Sequence, residues 1–477
     1  MEKIIEFLNS YLSGYILVFL LVAIGIYYTV GTRFVQIRCL GEGFRRIFSR
    51  NKTREGGGLS SFQALATAIA AQVGTGNIVG ACGAILIGGP GAIFWMWVIA
   101  FFGMATNYAE AVLAQKTREI DDNGEIHGGP VYYIKRAFSG RFGRVLAAFF
   151  AVAIIIACGF IGAMVQSNSI TTNIIGVFDS FGANIGGYSW VIGLVIAALA
   201  GVVFIGGIKR IAAVTEKLVP VMALLYIIGG LLVLAVNIRN LPEAFGMIFK
   251  YAFVPHAILG GGFGTALVKA IQKGAQRGLF SNEAGMGSTP HAHAQAMVET
   301  PHEQGVAAMV GVFIDTFVVL TMTALVVLST VYAEGGALSG LVGTGKDSFE
   351  DLAALLGYTD GNMVQKAFQL TFVKLLGSEA IGNAVGSIFV AVCLFFFAFS
   401  TIISWNFFGE INFKYLFGKK ATIFYFVVAI VFVFLGTLFK NSLVWGLSDL
   451  FNNLMVIPNV MALFALGSMV VSGRKDK

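Results

Sequence analysis

The sequence predicts an all-α integral membrane protein with eleven transmembrane helices, and three observations carry that expectation. Of 477 residues, 57% are hydrophobic and only 12% charged, where a soluble globular chain carries about 25% charged residues. The apolar residues gather into runs long enough to cross a bilayer core, which takes about 20 residues of helix. The Lys and Arg residues lie between those runs and strongly favour one face.

The runs fall at approximately 14–33, 62–88, 91–115, 143–175, 188–208, 212–238, 257–297, 304–333, 382–409, 421–439 and 443–472. They are continuously apolar, whereas barrel strands would be shorter and alternating, so helices are expected. The first run reads as a retained span rather than a cleaved signal. The net-neutral pair Glu2 and Lys3 stands before it in place of a basic stretch, and it ends in Tyr27-Tyr28, an interfacial aromatic anchor. The seventh run is unusual, being glycine-rich and carrying Lys269, Lys273, Arg277 and Glu283. Cys39, Cys82, Cys158 and Cys393 show no CxxC spacing, so neither a disulfide framework nor a cysteine metal site is expected.

A net charge of +7 would suggest nucleic acid or acidic partners for a soluble chain. Here it reports orientation instead, and no nucleic-acid partner is expected. Lys and Arg number seven from Arg33 to Arg54, six from Lys116 to Arg144, and three each in 209–217, 414–420 and 474–477. With eleven spans these segments share one face, and seven others (Lys3, Arg239, Lys250, Lys346, Lys366, Lys374 and Lys440) share the opposite one. The positive-inside rule then puts the amino terminus outside and the carboxy terminus in the cytoplasm of a multi-pass plasma-membrane protein. The loop after the seventh run, inside by this count, has no Lys or Arg.

Two runs are poor continuous helices. The second contains Gly74-Thr75-Gly76-Asn77, and a mid-helix glycine costs about 1 kcal/mol relative to alanine. The seventh contains Gly278-Leu279-Phe280-Ser281-Asn282-Glu283-Ala284-Gly285-Met286-Gly287-Ser288-Thr289-Pro290. Irregular backbone at membrane depth is tolerated only against a cavity or buried protein. Glycine packing of the small-xxx-small kind is the competing reading for any single position, Gly76-x-x-x-Gly80 included. The second run opens five spans and the seventh opens another five that enter from the opposite side. Segments 62–238 and 257–472 thus form two inverted five-helix sets, after an extra helix and basic loop in 1–61 and before a tail at 473–477. Paired broken helices in such sets match the plan of secondary transporters.

The breaks suggest their chemistry. Glycine amides and half-helix N-termini can hold a carboxylate. The carbonyls of Ala70 and Val73, just before the first break, can offer oxygen to a cation, joined by the hydroxyls of Ser400 and Thr401 from the ninth run. Without a carboxylate, such a set suits sodium better than calcium or magnesium; back-bonding of the hydroxyls to their own helix is the alternative. Gln166 could touch a substrate or bond between helices. Phe280 and Trp405 could close an apolar pocket or simply pack. Asp315 is an intramembrane acid, and an ion pair with Lys269, Lys273 or Arg277 is the preferred expectation for it. His291 and His293 have no acidic or thiol partner nearby in sequence, so a metal site there is not expected.

Several of these segments resemble the alanine or glycine:cation symporter family. They are Val73-Gly74-Thr75-Gly76-Asn77, Gly88-Gly89-Pro90-Gly91-Ala92-Ile93-Phe94-Trp95-Met96-Trp97, Gly103-Met104-Ala105 and Gly278 to Ser288. The similarity covers nearly the whole chain. It implies the leucine-transporter fold, a five-plus-five inverted repeat with one additional N-terminal helix. It also implies alternating-access import of alanine or glycine with sodium, by a monomer that performs no enzymatic chemistry. Carried over, Thr75, Gly76 and Asn77 would meet the substrate carboxylate, and Gln166, Phe280, Ser281, Asn282, Gly285 and Trp405 would line the rest. Sodium would take the Ala70, Val73 and Phe397 carbonyls with the Ser400 and Thr401 hydroxyls. Proton coupling is the main alternative. A channel would need a continuous polar pore with rings of charge, and an enzyme would have to use Asp315 or Glu283.

Overall fold

In a bilayer core every backbone N–H and C=O must find its partner within the protein, and long apolar runs meet that demand as helices. The computed structural model describes residues 2–48, 58–253, 263–339, 353 and 356–471. The tail 473–477, part of the basic loop and the head of the seventh run lie outside the described residues. Among the described residues, eight helices are long and apolar enough to cross a membrane: Ala92–Thr117, Gly140–Ser180, Gly186–Phe204, Gly207–Val236, Pro301–Tyr332, Glu379–Phe417, Lys419–Gly436 and Leu443–Ala465. A ninth is a bent pair, Ser61–Gln72 and Gly76–Gly88, meeting at 48°.

Length and apolarity therefore give eight or nine crossings where the hydropathy runs give eleven. The shortfall has two sources. The apolar part of the first run, Val18–Gly31, is only 14 residues, preceded by Glu2–Tyr11 and the π-wound Leu12–Leu17. The seventh run forms Phe263–Asn282, which is too polar to pass, and then Pro290–Ala294.

Two further helices occupy segments expected to be loops, Leu241–Phe253 and Met363–Leu376. The second buries Met363, Val364, Ala367, Phe368 and Thr371, one face at helical spacing. It can lie close on Glu379–Phe417 because Gly386 is there; a Cβ at that position would stand 2.6 Å from the Gln369 amide nitrogen. Lipid offers no hydrophobic drive between helices, so such close backbone approach carries much of the packing.

The broken elements sit at the centre. Every residue from Ala64 to Leu86 and from Gly278 to Ala296 is buried. The peripheral helices Gly186–Phe204 and Lys419–Gly436 instead expose Leu194, Val202, Ile423 and Val427. Strands are minimal among the described residues: a hairpin pairs Glu119–Ile120 with Ile126–His127. One isolated bridge joins Leu59, just before the first broken helix, to Ala296, just after the second.

Candidate substrate and cation site

Ser61–Gln72 starts on a capping box, in which Ser60 Oγ accepts from the Gln63 amide and Gln63 Oε1 from the Ser60 amide, both at 3.1 Å. It stops at Val73 (φ −79°, ψ 84°), and the Gly74 amide folds back to the Gln72 carbonyl at 2.9 Å. Side chains then satisfy amides that the helix has released. Asn77 Oδ1 accepts from the Gly74 amide at 3.0 Å, and Gln166 Oε1 from the Thr75 amide at 3.2 Å. The chain rewinds as the π-turn Gly76–Gly80. Glycine is required at Gly76 by proximity, since a Cβ there would lie 3.0 Å from Ser281 Cα and 3.2 Å from the Phe280 ring. The first break thus rests directly on the end of the second broken helix.

The second break begins at Glu283, three residues later than the glycine pattern suggests, because Phe280, Ser281 and Asn282 are still helical. Positive φ at Glu283 (56°), Gly285 (89°) and Gly287 (81°) turns the backbone through 283–289. For glutamate that conformation is strained. Its carboxylate is held at both oxygens, by Trp405 Nε1 on one side and by the Ser288 hydroxyl on the other. Gln72 Nε2 donates to the Asn282 carbonyl at 2.8 Å, joining the last residues of the two broken helices.

Asp315 corrects the expectation of an ion pair. Its Oδ1 accepts from Asn77 Nδ2 at 2.6 Å, and its carboxylate accepts from Ser281 Oγ at 3.0–3.1 Å and from Thr316 Oγ1 at 2.8 Å. Arg277 instead pairs with Asp449 at 3.4 Å, and Lys273 donates to Gln276; the Lys269 side chain lies outside the described residues. A fully buried carboxylate therefore bridges both breaks through neutral donors.

The expected cation ligands largely converge. Thr401 Oγ1 lies 2.9 Å from the Ala70 carbonyl and 3.1 Å from that of Phe397. Ser400 Oγ lies 2.8 Å from the Phe397 carbonyl and 3.3 Å from that of Ala70. Both hydroxyls donate to these carbonyls, so the back-bonding alternative and the cluster describe the same atoms. Turning the hydroxyl protons away would leave a cluster of four oxygens, a donor set suited to a hard monovalent cation. Val73 stands at the end of the Ala70 helix, with its side chain buried. Gly74 belongs here as well, because a Cβ on it would press into the Thr401 hydroxyl.

Of the expected substrate residues, Thr75, Gly76, Gln166, Phe280, Ser281 and Trp405 form one connected group. The Phe280 and Trp405 rings meet edge to face at 5.8 Å, and Gly162 leaves the space that the Trp405 ring fills. Thr75 Oγ1 and Ser404 Oγ are buried without a hydrogen-bond partner, which is uncommon unless something else comes to meet them. Asn77 is adjacent, with its amide committed to Gly74 and Asp315. Asn282 turns to Thr316 Oγ1 and to the Ala284 amide. Gly285 is not brought to the group; its neighbours are Leu21 and Thr106, and its amide donates to Glu110 Oε2 at 3.0 Å.

Glu110 is the residue that sequence reasoning missed. It accepts from the Gly285 and Gly287 amides at 3.0 Å each and from Asn459 Nδ2 at 2.7 Å, while Tyr133 holds Asn459. An acid inside the third apolar run, five residues before its end, was the available signal. His291 and His293 are both buried, bonded to Asn412 and Gln304 respectively.

Comparison with known proteins bears on this geometry. A family model described as the sodium:alanine symporter family matches residues 1–476. The chain is 39% identical over 475 residues to the sodium/alanine symporter AgcS of Methanococcus maripaludis, covering 99% of this chain and 96% of that one. It is 36% identical over 477 residues to the probable sodium/glutamine symporter GlnT of Bacillus subtilis, covering 100% and 90%. The crystal structure of MhsT in complex with L-phenylalanine aligns with a TM-score of 0.57 at 16% identity, covering 88% of this chain and 89% of that one, a likeness of leucine-transporter-type fold.

Proposed function

The chain belongs to the sodium:alanine symporter family, a multi-pass membrane family of amino acid transporters, and from that premise we propose that it imports small neutral amino acids, alanine or glycine, together with sodium. The observation that carries this reading is the seating of Gly76 on Phe280 and Ser281. It brings together two interrupted helices, one from each half of the sequence. The first break offers amides whose present partners, Asn77 and Gln166, are neutral and displaceable, and the unpartnered Thr75 hydroxyl stands beside them. A substrate carboxylate would replace those partners. Gly76 lets Phe280 and Ser281 approach that point closely, and with Gln166 and Trp405 they would surround the rest of the molecule. Trp405 and Phe280 fill the space that a large side chain would need, which favours alanine or glycine over the glutamine named for one relative.

Sodium would sit among the Ala70, Val73 and Phe397 carbonyls and the Ser400 and Thr401 hydroxyls. By holding Ala70 and Val73 it would order the helix end from which the carboxylate-binding amides project. Each ligand should then raise affinity for the other. In this reading the bent pair, the Glu2–Gly31 region and the interrupted seventh run complete eleven spans, with 62–238 and 257–472 as inverted five-helix sets. The amino terminus is outside, and the sets rock between outward- and inward-open states. Asp315 favours a second reading, proton coupling, because it is a buried carboxylate in contact with both breaks. Uptake of labelled alanine and glycine into proteoliposomes, with sodium and proton gradients imposed separately, separates the two. Saturable uptake driven by sodium alone supports the proposal. Uptake driven by the proton gradient alone would replace it with the second reading, and uptake that does not saturate would indicate a channel.

A further inference from the structure

The Lys- and Arg-rich face carries a cavity unrelated to the buried site. Lys116, Arg118, Glu119, Tyr132, Lys135 and Arg136 line most of its volume of about 480 Å³. It forms where Ala92–Thr117 ends, beside the short helices Pro130–Ala137 and Gly467–Val471, the latter at Met469. Pro130–Ala137 buries Val131, Tyr133 and Ile134 and leaves Lys135 and Arg136 exposed, as a helix lying along an interface would.

Four cations meet one carboxylate here, and none of the four joins an ion pair among the described residues. Their partners are neutral: Lys116 Nζ donates to the Met469 carbonyl at 2.7 Å, and Lys135 Nζ stands 5.7 Å from the centre of the Tyr415 ring. Arg118 donates to the carbonyls of Ala294 at 2.9 Å and Ala296 at 2.5 Å. Carbonyls and one ring orient three of the four without cancelling their charge. Lys116 and Thr117 end a helix long and apolar enough to cross a membrane, and Met469 follows the last such helix among the described residues, so the cavity lies at the ends of two candidate spans. The ends of spans are where phosphate groups of lipids lie.

We propose that this cavity binds the phosphate of an anionic phospholipid headgroup. Lys135 and Arg136 meet it from the interfacial helix, and Lys116 and Arg118 from the end of the third span. Arg118 gives the site a consequence. The same guanidinium holds the carbonyls that follow the second break, and neighbouring Gln115 holds those of His293 and Ala296. Headgroup occupancy would fix Arg118 and steady the segment through which the second broken helix reaches this face.

The test reads binding directly and does not depend on which cargo is carried. Purified protein is titrated with phosphatidylglycerol or phosphatidylcholine and examined by native mass spectrometry, with inorganic phosphate as a competitor. Each basic residue near an anionic surface is worth roughly fivefold in affinity, so the double variant Lys135→Gln/Arg136→Gln should retain phosphatidylglycerol roughly twentyfold more weakly. The pair Arg141→Gln/Arg144→Gln, exposed on the same face but outside the cavity, should bind like the unmodified protein. Equal retention of the two lipids, or equal loss in both double variants, would overturn the site. Displacement of phosphatidylglycerol by inorganic phosphate would overturn the lipid as its occupant.

Discussion

The two breaks share a glycine-rich composition but are satisfied in opposite ways. At the first, the freed amides of Gly74 and Thr75 meet the neutral side chains of Asn77 and Gln166, and the Thr75 hydroxyl meets nothing. At the second, the freed amides of Gly285 and Gly287 share the Glu110 carboxylate, itself held by Asn459, while Glu283 is locked between Trp405 and Ser288. Hydrogen bonds to a charged acceptor are roughly twice as strong as neutral ones. The second break already holds an acidic side chain against its amides, and in the proposed reading the first takes the substrate carboxylate in place of its neutral partners. The lesson is that irregular backbone at membrane depth can be tied internally, as a fixed pivot, or left to neutral side chains that a ligand could displace, and the partner of the amides decides which.

The sharpest way to break this contrast is Gly76→Leu. The side chain would enter the space now shared with Ser281 and Phe280, and uptake should fall to background in protein that remains monodisperse; normal uptake would remove the carboxylate niche from the first break. Glu110→Gln should act on the second break alone. Its NH2 group would face at least one of the three donors that the two carboxylate oxygens now accept from, so stability should drop by about 1–3 kcal/mol, read as a lower unfolding midpoint in detergent. The sodium concentration for half-maximal uptake should stay unchanged in that variant. An unaltered midpoint would deny Glu110 its role at the pivot. Thr401→Ala should have the smallest effect, raising the sodium needed for half-maximal uptake by about tenfold, the worth of one good hydrogen bond or ligand. Uptake at saturating sodium should be nearly retained. An unmoved sodium curve would take Thr401 out of the cation cluster.

Hydropathy made most of the crossings legible, and glycine density made both interruptions legible, because each rests on local sequence alone. The short helices Leu241–Phe253 and Met363–Leu376 were hidden, since they bury one face and never form a long apolar run. The Asp315 pairing was misread for a different reason. The seventh run offered three cations as partners, but the acid's actual donors include Asn77, 238 positions away, and only the fold brings it close. Glu110 was visible as an intramembrane acid, yet nothing local points from it to Gly285 and Gly287. Gly285 was assigned to the substrate by motif, and only the backbone turn at Glu283 shows its amide facing elsewhere.

Binding of labelled alanine to the purified protein, compared with binding of alaninamide, with and without sodium, reaches the claim most directly. Alanine should bind only when sodium is present, and alaninamide, which lacks the carboxylate, should fail to compete at any sodium concentration. Equal binding of the two ligands would show that the amides of the first break do not hold an anion.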